Sequence, residues 1–141
     1  MKNFKTKLNK LLFFADFLHY SKTGFSITGL TYRAIPLGPV PAEYDKLYMK
    51  LTEEGKIYVD EILMSEGNYA EIINGSEEFN GHMFYDTEKE ILNNIIKQFR
   101  SISPREIVEL SHRFKAWKEN QEQRKLINYQ QYAFDLGIEN T

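Results

Sequence analysis

The chain has 141 residues, 42% of them hydrophobic and 14% aromatic, which excludes a wholly disordered protein and predicts one ordinary globular domain. Its 18 Lys and Arg residues are balanced by 20 Asp and Glu residues, for a net charge of -2, which argues against nucleic-acid binding as the main task. Cysteine is absent, so there is no disulfide framework, thiolate zinc site or cysteine nucleophile, and the composition fits a cytoplasmic protein.

The first predicted element is a helix from Phe4 to Tyr20, because its apolar residues recur at helical spacing. Additional phenylalanines widen the apolar stripe beyond one face, so this helix is expected at the centre of the domain. Asp16 then lies among aromatic residues and needs a partner, and Gly24 is a typical helix end. Four basic residues near the start are typical of a solvated face: Lys2, Lys5, Lys7 and Lys10. No stretch of the chain approaches the length of a membrane span.

An extended stretch is predicted from Phe25 to Ile35, with a turn at Thr28-Gly29. The following run, Pro36 to Pro41, contains three prolines. Their fixed φ angles and missing amide donors predict a rigid connector. Pro41 is suited to the first position of the next helix, which Gly55 ends.

The pattern becomes β-rich in two runs, Lys56 to Met64 and Tyr69 to Ile73. The four residues between them, Ser65 to Asn68, include a glycine and suit a hairpin loop. A small antiparallel β insert is therefore predicted in the middle of the chain.

The last third is predicted to be helical again. Asp86 or Thr87 caps one helix, with a capping box from Thr87 to Glu90. Its inward residues are expected to be Ile91, Leu92, Ile95, Ile96 and Phe99. Ser103-Pro104 begins a second helix that continues to Trp117, and a short final helix is stopped by Gly137. Residues 1–141 are thus predicted to form a single compact domain that is mostly α with a small antiparallel β insert (α+β), with about five helices plus a β-hairpin.

No arrangement of side chains in the sequence predicts catalysis. The three histidines, His19, His82 and His112, have no metal-ligand spacing. Ser111 and His112 are adjacent on a helix and do not face each other, and neither a nucleophile elbow nor a phosphate loop occurs. No catalytic, cofactor or metal site is predicted, and an enzyme that uses His112 with Asp16 or Glu109 is the least favoured hypothesis.

Three stretches resemble the Panacea family, the SocA-like antitoxin domain. The opening run Lys7 to Phe17 resembles the first helix of the family, and Ser26 to Pro41 resembles its "TGL-x-Y … GPVP" signature, which is the most specific of the three. Glu109 to His112, followed by Ala116-Trp117, is similar to its "L-S-H … W" motif. The resemblance covers about Lys5 to Gly137. It assigns these family motif residues, with structural or partner-contact roles: Asp16, Thr28, Gly29, Tyr32, Gly38, Pro39, Val40, Pro41, Ser111, His112 and Trp117.

The resemblance implies an antitoxin of a bacterial or phage type II toxin-antitoxin system that neutralises a toxin by direct protein binding. The alternative that it implies is a proteolytic adaptor, which delivers a toxin or other partner to a protease or its unfoldase. Because the signature begins within ten residues of Met1, the helix-turn-helix module of some relatives is expected to be absent, and nucleic acid is not an expected partner. Candidate partner contacts lie in or beside the β insert: Tyr58, Tyr69, Phe79 and Phe84.

Overall fold

A computed structural model describes residues 2–65 and 67–136. The helices are α1 (Lys5–Thr23), α2 (Tyr44–Glu53), α3 (Asp86–Phe99), α4 (Pro104–Ser111), α5 (Lys115–Lys118) and α6 (Tyr129–Tyr132). The strands are β1 (Tyr32–Ile35), β2 (Gly38–Pro41), β3 (Ile57–Leu63) and β4 (Tyr69–Gly75). They pair as two antiparallel hairpins, β1–β2 and β3–β4, so the predicted α+β fold is confirmed, with one hairpin more than expected.

Helix α1 lies at the centre of the domain, as its apolar pattern predicts. Phe13, Phe14 and Phe17 are fully buried, and α1 packs against α3, α4, β2 and the C-terminal helical segment. The rings of Phe14 and Phe99 stack with 5.1 Å between their centroids. Gly24 ends the helix in the left-handed conformation, with its N–H donating to the Tyr20 carbonyl, as predicted. Helix α1 therefore forms the centre of the core, with these four neighbours packed around it.

The prediction of a connector from Pro36 to Pro41 is wrong, because Gly38–Pro41 forms strand β2 and pairs with β1. Pro39 and Pro41 lie opposite Ala34 and Tyr32, whose own backbone groups bond Lys125 and Ile127 on the far side of β1. Alternate residues of an antiparallel strand direct their N–H groups away from the partner. The two prolines occupy those positions, so their missing donors leave the pairing intact.

The predicted insert is confirmed as the β3–β4 hairpin, in which Ile57 pairs with Gly75 and Leu63 with Tyr69. The free edge of β4 is met by the N-terminal segment, since the N–H of Ile73 donates to the Asn3 carbonyl at 2.8 Å. Helix α2, which precedes the insert, begins at Tyr44. The prediction that Pro41 is the first residue of this helix is therefore wrong, because Pro41 is the last residue of β2.

The helices of the last third follow the predicted order, with three local differences. In α3 the Tyr85 N–H is capped by Glu88 at 2.8 Å, so the predicted capping box at Thr87 is wrong, and Ile96 is 40% exposed rather than inward. The start of α4 is confirmed, because Ser103 accepts from the Glu106 N–H. This helix ends at Ser111, so Trp117 belongs to the separate α5. The predicted stop at Gly137 lies outside the described residues.

Candidate functional site

The carboxylate of Asp16 anchors the segment that joins α1 to β1. Asp16 is 0% exposed, and its Oδ1 accepts from the backbone N–H groups of Ile27 and Thr28, both at 2.8 Å. Its Oδ2 accepts from the hydroxyls of Thr28 and Tyr32, both at 2.5 Å. Burial, together with the Asp16 carboxylate beside it, raises the pKa of the Tyr32 hydroxyl far above its usual value, so that hydroxyl stays a donor. Asp16 thus has the partners that the sequence requires.

A second group of motif residues holds the turn of the β1–β2 hairpin. The Trp117 Nε1–H donates to the Ile35 carbonyl at 2.7 Å, and the His112 Nε2 lies 2.9 Å from the Pro36 carbonyl oxygen. Because a carbonyl oxygen only accepts, His112 donates from Nε2 in this hydrogen bond. The two rings stack with their centroids 3.9 Å apart. Two side chains from the end of α4 and from α5 therefore bind consecutive carbonyls of one turn.

Gly38, the first residue of β2, fits where no larger residue does. It has a φ of 106°, and a Cβ added there would lie 2.5 Å from the Ser111 Oγ and 2.6 Å from the Lys10 Cε. The Ser111 hydroxyl donates to the Val108 carbonyl of its own helix at 2.7 Å. The rest of the strand, Pro39 to Pro41, is buried. Glycine here permits close contact between β2, α1 and α4.

We expect Gly38→Ala to lower the free energy of unfolding by about 2–4 kcal/mol, because it adds an overpacked contact to backbone strain. Gly29→Ala is the matched control, since Gly29 also has a positive φ, of 75°, but faces open space. That variant should lose only about 1 kcal/mol. Urea denaturation of both variants measures the difference, and equal losses would show that the contact with Ser111 and Lys10 does not matter.

Two lysines of the expected solvated face are instead buried, so that prediction is wrong for them. Lys7 is 3% exposed and Lys10 is 0% exposed. They share a helical stripe with the buried Phe14 and Phe17, at spacings of three and four residues, and this spacing is the signal that could have revealed them. Because α1 is surrounded on several sides, its lysine stems pack inside the domain.

The two buried lysines differ in what their ammonium groups contact. The Lys7 Nζ donates to the Ile102 carbonyl at 2.6 Å and to the Arg100 carbonyl at 3.4 Å. Among the described residues, the Nζ of Lys10 has no hydrogen-bond partner, and burial lowers the pKa of this ammonium to about 7. Lys10 is also part of the lining of a groove of about 250 Å³. The groove is lined by Lys5, Thr6, Asn9, Lys10, Ile35, Leu37, Val40 and Tyr44.

The four candidate partner contacts do not form one surface. Tyr58 and Tyr69 are exposed but lie near opposite ends of the β3–β4 hairpin, and their register places them on opposite faces. Phe79, 70% exposed, stacks on the half-buried Phe84 with 5.5 Å between centroids. Met83 and Tyr85, which flank Phe84 in the sequence, are also exposed, and these four residues are called the aromatic patch. The structure thus offers an aromatic patch and two separate tyrosines.

Within residues 2–65 and 67–136, His, Asp and Glu side chains nowhere come together in a group of three that could hold a metal ion. Over the same residues, no helix combines the length and the apolar character that crossing a membrane requires.

Residues 8–118 match the model of the family described as antitoxin SocA-like, Panacea domain. The comparisons with curated proteins and with solved structures found no match. The matched segment contains Asp16 with its partners, the β1–β2 hairpin and the side chains of α4 and α5 that hold its turn. The chain therefore belongs to the family of SocA-like antitoxins with a Panacea domain.

Proposed function

We propose that this protein is the antitoxin of a bacterial or phage type II toxin-antitoxin system, and that it neutralises a toxin in the cytoplasm by binding it directly. The observation that carries the proposal is the match over residues 8–118 to a family described as antitoxin SocA-like. The motif residues support it because most of their polar side-chain atoms are engaged in holding the fold. Under this proposal the protein acts through a binding surface and not through these side chains.

The occupied side chains argue against the enzyme hypothesis. His112 is bound to the Pro36 carbonyl and stacked on Trp117, while all of the hydrogen bonds described for Asp16 go to the segment before β1 and to Tyr32. Glu109 lies 3.4 Å from Arg105 and is well exposed. A catalytic base needs a partner within hydrogen-bond reach, and the described contacts pair His112 with neither carboxylate.

The aromatic patch is the surface that best suits the toxin. Phe79, Met83 and Tyr85 are each at least 70% exposed, whereas large apolar side chains are normally placed inside. Aromatic residues and methionine are enriched in protein interfaces. Tyr58 and Tyr69 on the insert are further contacts under this proposal.

Phe79→Ala tests the patch. Because an exposed aromatic side chain adds little to folding but can dominate an interface, we expect at least about a tenfold loss of toxin affinity, equivalent to about 1.4 kcal/mol. The thermal melting temperature should stay unchanged. Met49→Ala is the control, since Met49 is 62% exposed and lines a groove with Lys5 near the start of α1, whereas Thr87 beside the patch contacts His19 near the end of that helix. Equal affinities for the two variants, measured by calorimetry with the purified toxin, would exclude the patch as a contact.

Co-expression tests the proposed function itself. The chain is produced together with the product of the neighbouring gene, in cells that this product alone poisons. Rescue with co-purification of both proteins is the expected result. Rescue with disappearance of the toxin protein indicates the adaptor mechanism instead, and a failure to rescue contradicts both.

A further inference from the structure

Lys10 has an unusual environment for a lysine. Its side chain is 0% exposed, and its Nζ has no hydrogen-bond partner among the described residues. Burial of an unpaired amine is costly in either protonation state, because the charged form loses hydration and the neutral form loses hydrogen bonds. An apolar residue of the same length would avoid that penalty. Lys10 is therefore a poor choice for the isolated fold.

The other two buried or half-buried lysines of α1, Lys5 and Lys7, have partners for their ammonium groups within the fold. Lys7 is also buried, though slightly less than Lys10, and two backbone carbonyls accept its hydrogen bonds. Lys5, which also lines the groove, lies 2.6 Å from a Glu71 carboxylate oxygen and 3.8 Å from one of Asp45. Of the two lysines in the groove lining, Lys10 alone has no carboxylate beside it.

The groove brings open space close to the buried side chain of Lys10, which is one of its lining residues. Its walls come from α1, from the β1–β2 hairpin and from the start of α2. Leu37 at the hairpin turn is 56% exposed and is the one exposed side chain in the lining. Trp117 and His112 hold the backbone of the same turn in place.

We propose that this groove binds an Asp or Glu side chain of the partner protein, and that Lys10 supplies the cation that pairs with this carboxylate. The inference rests on the proposed function, because the carboxylate belongs to the toxin. Pairing would give the buried ammonium a partner that it lacks among the described residues. A desolvated ion pair of this kind contributes strongly to the specificity of binding. An uncharged segment would leave Lys10 unpaired and would be rejected.

A capped peptide with one glutamate, acetyl-Ala-Glu-Ala-amide, tests the site without the toxin. The backbone amide signals of Leu37, Gly38 and Val40 are followed by NMR while the peptide is added to the full chain in the millimolar range. Saturable shifts are expected with this peptide, at least fivefold weaker shifts with its glutamine counterpart, and none in Lys10→Met. Equal responses to the two peptides, an unchanged response in Lys10→Met, or no response in the wild type each overturn the inference.

Binding of the variants to the toxin is the second test of the inference. Once wild-type rescue has identified a toxin, Lys10→Met should bind it at least tenfold more weakly, although this variant is expected to fold more stably than the wild type. Lys7→Met is the matched control, since Lys7 is the other buried lysine of α1 and lies outside the groove lining, and it should bind nearly as well as the wild type. Wild-type affinity in Lys10→Met overturns the inference and leaves the antitoxin role intact. Failure of wild-type rescue overturns the antitoxin role, while the peptide titration still decides the groove.

Discussion

Asp16→Ala should lower the free energy of unfolding by about 3–5 kcal/mol, the loss expected when a buried charged acceptor is removed from its donors. In the wild type this carboxylate accepts from two backbone N–H groups and two hydroxyls. The alanine variant leaves the N–H groups of Ile27 and Thr28 and the hydroxyl of Tyr32 without that acceptor. Since a domain of this size is stable by only about 5–15 kcal/mol, the loss is a large fraction of the total. Urea denaturation followed by circular dichroism measures it.

Two variants separate the hydrogen bonds of Asp16 from the general effect of losing a charge. Asp45→Ala removes a carboxylate whose side chain is 75% exposed, and it should change stability by no more than about 0.5 kcal/mol. Asp16→Asn keeps an amide oxygen as an acceptor, so its loss should fall between those of the other two. If Asp16→Ala were as stable as Asp45→Ala, the anchoring role of this carboxylate would be wrong.

The stability of the protein should rise as the pH increases from about 7 to about 10, which is unusual for a globular domain. Burial lowers the pKa of Lys10 to about 7, against 10.5 for an ordinary lysine. Between these two values the unfolded chain binds a proton that the folded chain does not, so the free energy of unfolding increases with pH, by on the order of 5 kcal/mol across the window. Below pH 7 both states are protonated and this dependence disappears.

Buried tyrosines act in the opposite direction above pH 10. Burial raises the pKa values of three tyrosine hydroxyls in the folded state: Tyr32, Tyr48 and Tyr129. The unfolded chain loses these protons first, so stability falls again as the pH rises further. Together with Lys10, these groups predict a maximum of stability near pH 9–10.

Lys10→Met identifies the source of the rising limb. Methionine fills a similar volume without an amine, so this variant should be more stable than the wild type at pH 7. It should also lose most of the increase between pH 7 and 10, with a smaller part remaining from Lys7, whose pKa is also lowered by burial. Chemical denaturation at half-unit pH intervals gives both profiles. Parallel profiles for the two proteins would contradict the assignment to Lys10.

The parts of the fold that the sequence predicts well are those with local signals. The helix spacing and Gly24 define α1 almost to the residue, and the Ser103-Pro104 pair defines the start of α4. The β3–β4 hairpin follows from two β-rich runs around a turn. Each of these signals acts within a few neighbouring residues, so it needs no knowledge of the tertiary structure.

The β1–β2 hairpin and the buried lysines depend instead on contacts between distant segments. Counting missing donors in Pro36 to Pro41 gives no information about which side of the strand each donor would have faced, and only the register with β1 shows that two of the prolines are harmless. Similarly, the motif resemblance names Gly38 and Ser111, but their role as a close contact with Lys10 appears only when α1, β2 and α4 are packed together. Lys10 lies in the run that resembles the first helix of the family, but that resemblance does not show that its ammonium group lacks a partner.

A titration of the purified toxin with the purified chain tests most directly the central claim, that this protein acts by stable binding and not by catalysis. Toxin activity should fall in proportion to the amount of chain added and reach zero at a fixed molar ratio. Dissociation of the complex with denaturant, followed by refolding, should return the toxin at its original mass and activity. Progressive inactivation by substoichiometric chain, or a change in toxin mass, would contradict the claim and indicate an enzyme.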